Sequence, residues 1–218
     1  MAAIQSATRT VVASSRQSKL LDELVDLFRS EGFRSFTLDD LARRLRCSKS
    51  TLYALAGSKE QLVVRVVRQF FATATAAVEA HVAASGDGLG AIAGYLRAVS
   101  AALAPASPQF FADLAAFAPA DEIYAHNTTL AARRLQQLID DGVALGAVRP
   151  VHAGFVGAAV SAVMTAIHSG DIAHESGLDD AAAYDQLADL VVSALSPGPA
   201  TSTPVGLIPE ASPGANRT

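Results

Sequence analysis

The sequence predicts an all-α protein, with a small three-helix N-terminal domain containing a helix-turn-helix joined to a larger helical domain. Three observations carry this. Apolar residues recur at three- and four-residue spacing through most of the chain, and no stretch alternates with period two as a half-buried strand would. Alanine, the strongest helix former, supplies 45 of 218 residues. The interruptions between periodic segments are Gly and Pro clusters, which end helices.

Residues 1–14, rich in Ser, Thr and Ala with a single Arg9, read as a loose arm. Leu20, Leu24, Leu27 and Phe28 then lie on one stripe of a first helix that stops at Glu31-Gly32-Phe33. Three helix starts follow in quick succession. Thr37 precedes Leu38, Leu41, Ala42 and Leu45, with Asp40 placed as a capping-box partner; Ser48 precedes Lys49–Leu55; Ser58 and Gln61 form a Ser-x-x-Gln capping box. The tight Arg46-Cys47 connection between two short helices makes a helix-turn-helix, whose second helix enters the major groove of DNA. Further helices are predicted over about 58–84, 89–104, 108–118, 121–145, 151–169 and 180–195, broken at Ser85 to Gly88, Pro105, Pro108, Pro119, Gly142/Gly146 with Pro150, and Gly170 to Gly177. After Leu195 the Pro/Ser/Thr/Gly-rich sequence reads as a disordered tail. The expected domains are 15–60 and 61–196, flanked by the arm and by the tail 197–218.

Charge points to the same partner. Residues 1–70 carry 12 Lys+Arg against 7 Asp+Glu, whereas the remainder carries 5 against 14. The overall net charge of −4 therefore combines a basic head with an acidic body. A basic head attracts a phosphate backbone through counterion release. No window approaches about 18 apolar residues, so no membrane span is expected. One cysteine excludes an internal disulfide framework and fits a cytoplasmic location. No Ser-His-Asp, Cys-His or Gly-rich phosphate-loop pattern appears, so an enzyme is not expected, and no cofactor or metal is implied.

Leu-Ala-Arg-Arg-Leu at 41–45, Ser-Lys-Ser-Thr-Leu-Tyr at 48–53 and Ser-Lys-Glu-Gln-Leu at 58–62 together resemble the DNA-binding head of the tetracycline-repressor (TetR) family. The resemblance covers about residues 16–65 and is only architectural beyond them. Two departures stand out. Leu55-Ala56 replaces the customary His-Phe, removing a phosphate donor and a packing aromatic. Arg46-Cys47 replaces a common Gly-Val, which makes a left-handed turn conformation costlier at Arg46.

A recognition helix presents its N-terminal residues to base edges. Here these are Lys49, Ser50 and Thr51, capped by Ser48, with Tyr53 on the same side. Lys49 suits guanine O6 and N7, and the Thr51 methyl suits a thymine methyl. Phosphate contacts are expected from Thr37, Tyr53 and Lys59, with Arg43, Arg44 and Arg46 as further candidates. Leu52 should face inward onto Leu41 and Leu45. Cys47 reads as a small packing side chain rather than a redox sensor.

Aromatics concentrate over 95–124. Tyr95, Phe110, Phe111, Phe117 and Tyr124, with Asn127, Met164 and His168, are the candidate lining of an effector pocket. The segments 153–160 and 181–195 are poor in bulky residues, and the resemblance implies that the corresponding helices pair two chains. The resulting expectation is a homodimeric, ligand-responsive repressor that binds a palindromic operator in double-stranded DNA and is released by a small, largely apolar effector. The competing expectation is a helical dimeric ligand- or protein-binding module that has lost specific DNA binding.

Overall fold

The computed structural model describes residues 2–197, with side chains from Arg16 onward except those of residues 180 and 181. Among the described residues there are ten helices and no strand: α1 (Ala2–Glu31), α2 (Leu38–Arg44), α3 (Lys49–Tyr53), α4 (Lys59–Ala84), α5 (Leu89–Leu103), α6 (Pro108–Ala115), α7 (Ala118–Ala144), α8 (Ala153–His168), α9 (Asp171–Ser176) and α10 (Asp180–Leu195). No single one of these helices is long and apolar enough to cross a membrane.

The first helix buries Leu20, Leu21, Leu24 and Phe28 along one stripe. It ends at Gly32, whose φ of +77° is left-handed and whose missing Cβ would lie 2.6 Å from Asp113 Oδ2. Where a loose arm is expected over residues 1–14, α1 already begins at Ala2. No Gly or Pro stands before Gly32 to break it. The capping box of α2 forms as anticipated: Asp40 N–H donates to Thr37 Oγ1 at 3.2 Å, and Thr37 N–H to Asp40 Oδ2 at 3.0 Å.

The turn between α2 and α3 is a Schellman motif. Arg46 N–H donates to the Arg43 carbonyl at 3.3 Å, and Cys47 N–H to the Ala42 carbonyl at 3.0 Å. Arg46 adopts φ 51°, the one positive φ outside glycine among the described residues. Leu24, Phe28, Leu41, Leu52, Leu62 and Val66, each at most 1% exposed, close the head core.

The fourth helix belongs to both halves, so the boundary expected between residues 60 and 61 falls within its first turn. Leu62, Val63 and Val66 sit in the head core, and the same helix continues into the body, where it packs on α5 and α7. Around it α5 packs on α10, α7 on α8, and α8 on α10. Three element expectations need correction. Gly142 does not break the chain but lies buried inside α7, which runs on to Ala144. Pro119 does not break the chain but occupies the first turn of α7, where its missing N–H costs nothing. The six-residue α9 stands where an interruption from Gly170 to Gly177 is expected; it is too short to show a periodic stripe. Of the tail expected over 197–218, residues 198–218 lie outside the described residues.

Head and body meet at α6. Asp113, 3% exposed, accepts hydrogen bonds from the Phe33 and Arg34 N–H groups at 2.6 and 2.8 Å and from Gln109 Nε2 at 2.7 Å. Ser107 N–H donates to the Arg29 carbonyl at 2.8 Å. Phe33, Phe70 and Phe110 form an edge-to-face seam across this joint, with ring centroids 5.1 to 6.2 Å apart.

Candidate functional site

The five-residue α3 is divided cleanly between core and surface. Leu52 is 1% exposed, whereas Tyr53 on the opposite side is 51% exposed. Lys49 and Ser50 are also exposed, and Thr51 is half-buried. Ser48 Oγ accepts from Thr51 N–H at 3.2 Å and lies 2.7 Å from Ser50 Oγ and 2.8 Å from Thr51 Oγ1, so three hydroxyls cluster at the helix start.

Four of the head's candidate cations have partners. Lys49 Nζ lies 2.6 Å from Asp39 Oδ1, and this hydrogen bond holds the lysine above its ordinary pKa. Arg43 pairs with Asp40 at 3.2 Å. Arg44 pairs with Glu31 and lies over the Phe36 ring, 5.6 Å from its centroid. The Thr37 hydroxyl donates to Asp40 Oδ2 at 2.6 Å, and that bond is the leading reason the Asp40 carboxyl sits below the usual carboxylate range. Lys59 Nζ donates to the Arg34 carbonyl at 3.0 Å, tying α4 to the loop after α1. Arg46 stands exposed on its left-handed turn. Burial pushes the Cys47 thiol pKa up, the reverse of an activated thiolate.

The Leu55 departure also has a structural consequence. Leu55 is 5% exposed and packs in the core, while its carbonyl accepts from Arg65 Nη1 at 2.6 Å. Arg65 is not among the sequence candidates, because nothing in its helical periodicity marks a cation that reaches back to the end of α3.

The second feature is a cavity of about 210 Å³ among α4, α5, α7 and α8. Tyr95, Tyr124, Asn127, Met164 and His168, all expected there, line it. Phe110, Phe111 and Phe117 do not, because α6 lies between α1 and α7 and turns its aromatic face to the joint. Phe110 is 1% exposed against Phe33 and Phe70, and Phe117 packs 6.3 Å from Phe33. Phe111 stacks behind His168 at 4.4 Å. The lining beyond the sequence candidates includes Phe71, Thr75, Val78 and Glu79 of α4, with further residues of α5 and α7. Glu79 is held by Arg134 of α7, whose Nε and Nη2 donate to its two oxygens at 2.9 and 3.0 Å.

Polar groups of the cavity are largely engaged by the protein itself. Tyr95 donates to the Ala131 carbonyl at 2.9 Å, Thr128 to the Tyr124 carbonyl at 3.0 Å, and the Asn127 amide to the Ile123 carbonyl at 2.8 Å. His168 is bridged by the Tyr124 hydroxyl at Nδ1 and the Tyr184 hydroxyl at Nε2. Burial lowers its pKa to about 4 and raises that of Tyr124 to about 12, so both rings stay neutral near neutrality. A neutral imidazole has one donor and one acceptor nitrogen, which suits one tyrosine on each side. Among the described residues, no group of three or more His, Cys, Asp or Glu side chains is placed to hold a metal ion.

Residues 20–66, which span the three-helix head, match the family model described as bacterial regulatory proteins, tetR family. The head thus resembles the DNA-binding head of that family. Over 54 residues it is 52% identical to YvaF of Bacillus subtilis, described as an uncharacterized HTH-type transcriptional regulator; this covers 25% of the chain and 28% of that protein. The whole fold extends the likeness. A putative transcriptional regulator from Saccharomonospora viridis, solved in complex with choline, superposes with a TM-score of 0.69 at 14% identity, covering 85% of this chain and all of that one. The TetR-family regulator PfmR of Thermus thermophilus gives 0.59 at 21% identity, covering 82% and 99%. The match to the tetR model thus lies in the head, and the fold likeness extends over the body.

Proposed function

We propose that this protein is a TetR-family, ligand-responsive transcriptional repressor, acting in the cytoplasm as a homodimer on a palindromic operator. The observation that carries the reading is the division of α3: Leu52 anchors it in the core while Lys49, Ser50 and Tyr53 stand outward on a net-basic head. That arrangement suits a short helix lodged in the major groove, with Lys49 donating to guanine and Tyr53 and Arg46 at phosphates. Two heads related by a two-fold axis would read half-sites about 34 Å apart.

The cavity supports an effector role. Phe71, Thr75, Val78 and Glu79 of α4 line it, and the first turns of the same helix carry Leu62, Val63 and Val66 of the head core. A molecule that displaces α4 therefore moves the head on its own lever, and a preference of about 1–3 kcal/mol for the moved state is enough for ordinary coupling. The internal engagement of Tyr95, Asn127 and Thr128 favours an effector with few polar groups. Choline is the ligand in the Saccharomonospora viridis complex. Here the cavity's carboxylate, Glu79, is already bound to Arg134, which favours an uncharged molecule. The cavity is smaller than the roughly 300–1,000 Å³ usual for drug-sized ligands, so the effector is compact or the pocket widens on binding.

The decisive experiment selects duplexes from a random pool with the full-length protein and then measures their binding to the Lys49→Ala/Tyr53→Ala variant. Specific binding should disappear while the dimer persists in sedimentation. Binding by the double variant as tight as wild type would remove the assignment to α3. Recovery of no sequence by wild type would favour a helical module without DNA specificity.

A further inference from the structure

The acidic partner of the base-reading lysine is not the residue that caps the helix it belongs to. Asp39 is the second residue of α2; the capping box uses its neighbour Asp40, which also holds Arg43. Asp39 instead reaches across to α3, placing Oδ1 2.6 Å from Lys49 Nζ, with both side chains more than half exposed. An exposed ion pair of this kind contributes little to stability. A carboxylate on the face that meets a polyanion also opposes general attraction to DNA. The contact therefore has to be understood through what it does to Lys49.

An ammonium has three N–H donors. With one directed to Asp39, two remain, the number that guanine N7 and O6 accept in the major groove. The same pairing offsets the positive charge that would otherwise favour any phosphate on any sequence. Asp39 also fixes the lysine's direction, since it joins the start of α2 to the start of α3 across the turn whose left-handed corner is Arg46.

We propose that Asp39 is a specificity-determining positioning residue: by binding Lys49 it converts a general phosphate-seeking cation into a selective reader of guanine. The inference rests on the DNA-reading assignment of α3 made above. Its signature is an effect of opposite weight on right and wrong DNA. Asp39→Asn should tighten binding to non-specific duplex about fivefold or more, with little gain on the selected site, so that discrimination falls. The salt dependence of non-specific binding should steepen by about one unit per head, as one more phosphate is neutralised.

The test uses full-length protein, a duplex recovered by wild type from a random pool, and a scrambled duplex of equal composition. Asp39→Asn and Asp39→Ser, which keeps a polar group at the helix start, are compared alone and combined with Lys49→Ala. Loss of discrimination in both single variants, vanishing in the Lys49→Ala background, supports the role. An equal fold-change on both duplexes, or a loss of discrimination that persists without Lys49, overturns it and leaves a general charge effect. If wild type recovers no sequence, the reading of α3 fails and this proposal fails with it. If wild type recovers a site and Asp39→Asn discriminates as well as wild type, only the role of Asp39 is lost.

Discussion

Arg46 shows what one residue costs and what it can return. Its φ of 51° is a conformation that a side chain with a Cβ reaches only against about 1–2 kcal/mol of steric opposition, and glycine occupies it freely. Replacement by glycine adds unfolded-state entropy, so Arg46→Gly should gain only up to about 1 kcal/mol in urea unfolding. The same substitution removes an exposed guanidinium from the edge of the recognition helix. If Arg46 touches a phosphate, DNA binding weakens and its salt slope flattens by about one unit per head. A stability gain with unchanged DNA binding would leave Arg46 as strain without function. His168 is the second residue whose chemistry can be measured alone. Its folded pKa of about 4 lies below the unfolded 6.5, so the unfolded chain binds the proton first. Its contribution is therefore constant above about pH 6.5 and falls as pH drops from there to about 4, by at most about 3 kcal/mol. His168→Gln should lose less stability than wild type between about pH 7 and about pH 4.5, measured by urea midpoints. Parallel losses would mean the imidazole is freer to protonate than its burial implies.

Among the elements, legibility follows the kind of signal each one sends. Helix starts with side-chain caps, at Thr37, Ser48 and Ser58, are readable because the cap and the helix it opens are adjacent in sequence. The strain at Arg46 is readable for the same reason. The role of α6 is not. Its Phe110-Phe111 pair announces burial, but periodicity does not say against what, and the partners Phe33 and Phe70 lie far away in the chain. The Glu79–Arg134 pair, 55 residues apart, and the carboxylate of Asp113, 80 residues from the N–H of Phe33, are invisible for that reason. Asp113 is the element-scale test. It is a buried carboxylate satisfied by two backbone N–H groups of the loop after α1 and one side-chain amide. Asp113→Ala would strand the buried Phe33 N–H and open a small void, at a cost of about 2–3 kcal/mol in urea unfolding. The same substitution should raise hydrogen exchange at the amides of Phe33 and Arg34 beyond that of the rest of the head. Uniform acceleration throughout the protein would instead mean that the joint has no stability of its own.

For the whole molecule the open quantity is the second copy. Phe155 of α8 is 72% exposed and Leu190 of α10 is 67% exposed, on two helices that pack against each other. Large apolar side chains left outward on a packed helix pair suit an isologous contact, in which the same patch of each chain meets its counterpart. If that contact forms, the distance between two α3 helices is set by the bodies and not by the heads. Replacing Phe155 and Leu190 together by Glu puts four carboxylates into the contact of a dimer, and desolvating them is prohibitive. The monomer should be released in analytical ultracentrifugation at micromolar concentration, with the circular dichroism of a folded helical protein intact. Affinity for a two-half-site duplex should then fall far more than affinity for a single half-site, because the second head loses its high effective concentration. Equal losses on the two duplexes would show that the substitutions had damaged the head. A dimer that survives both charges would place the contact elsewhere, and with it the geometry that fixes the spacing of the operator.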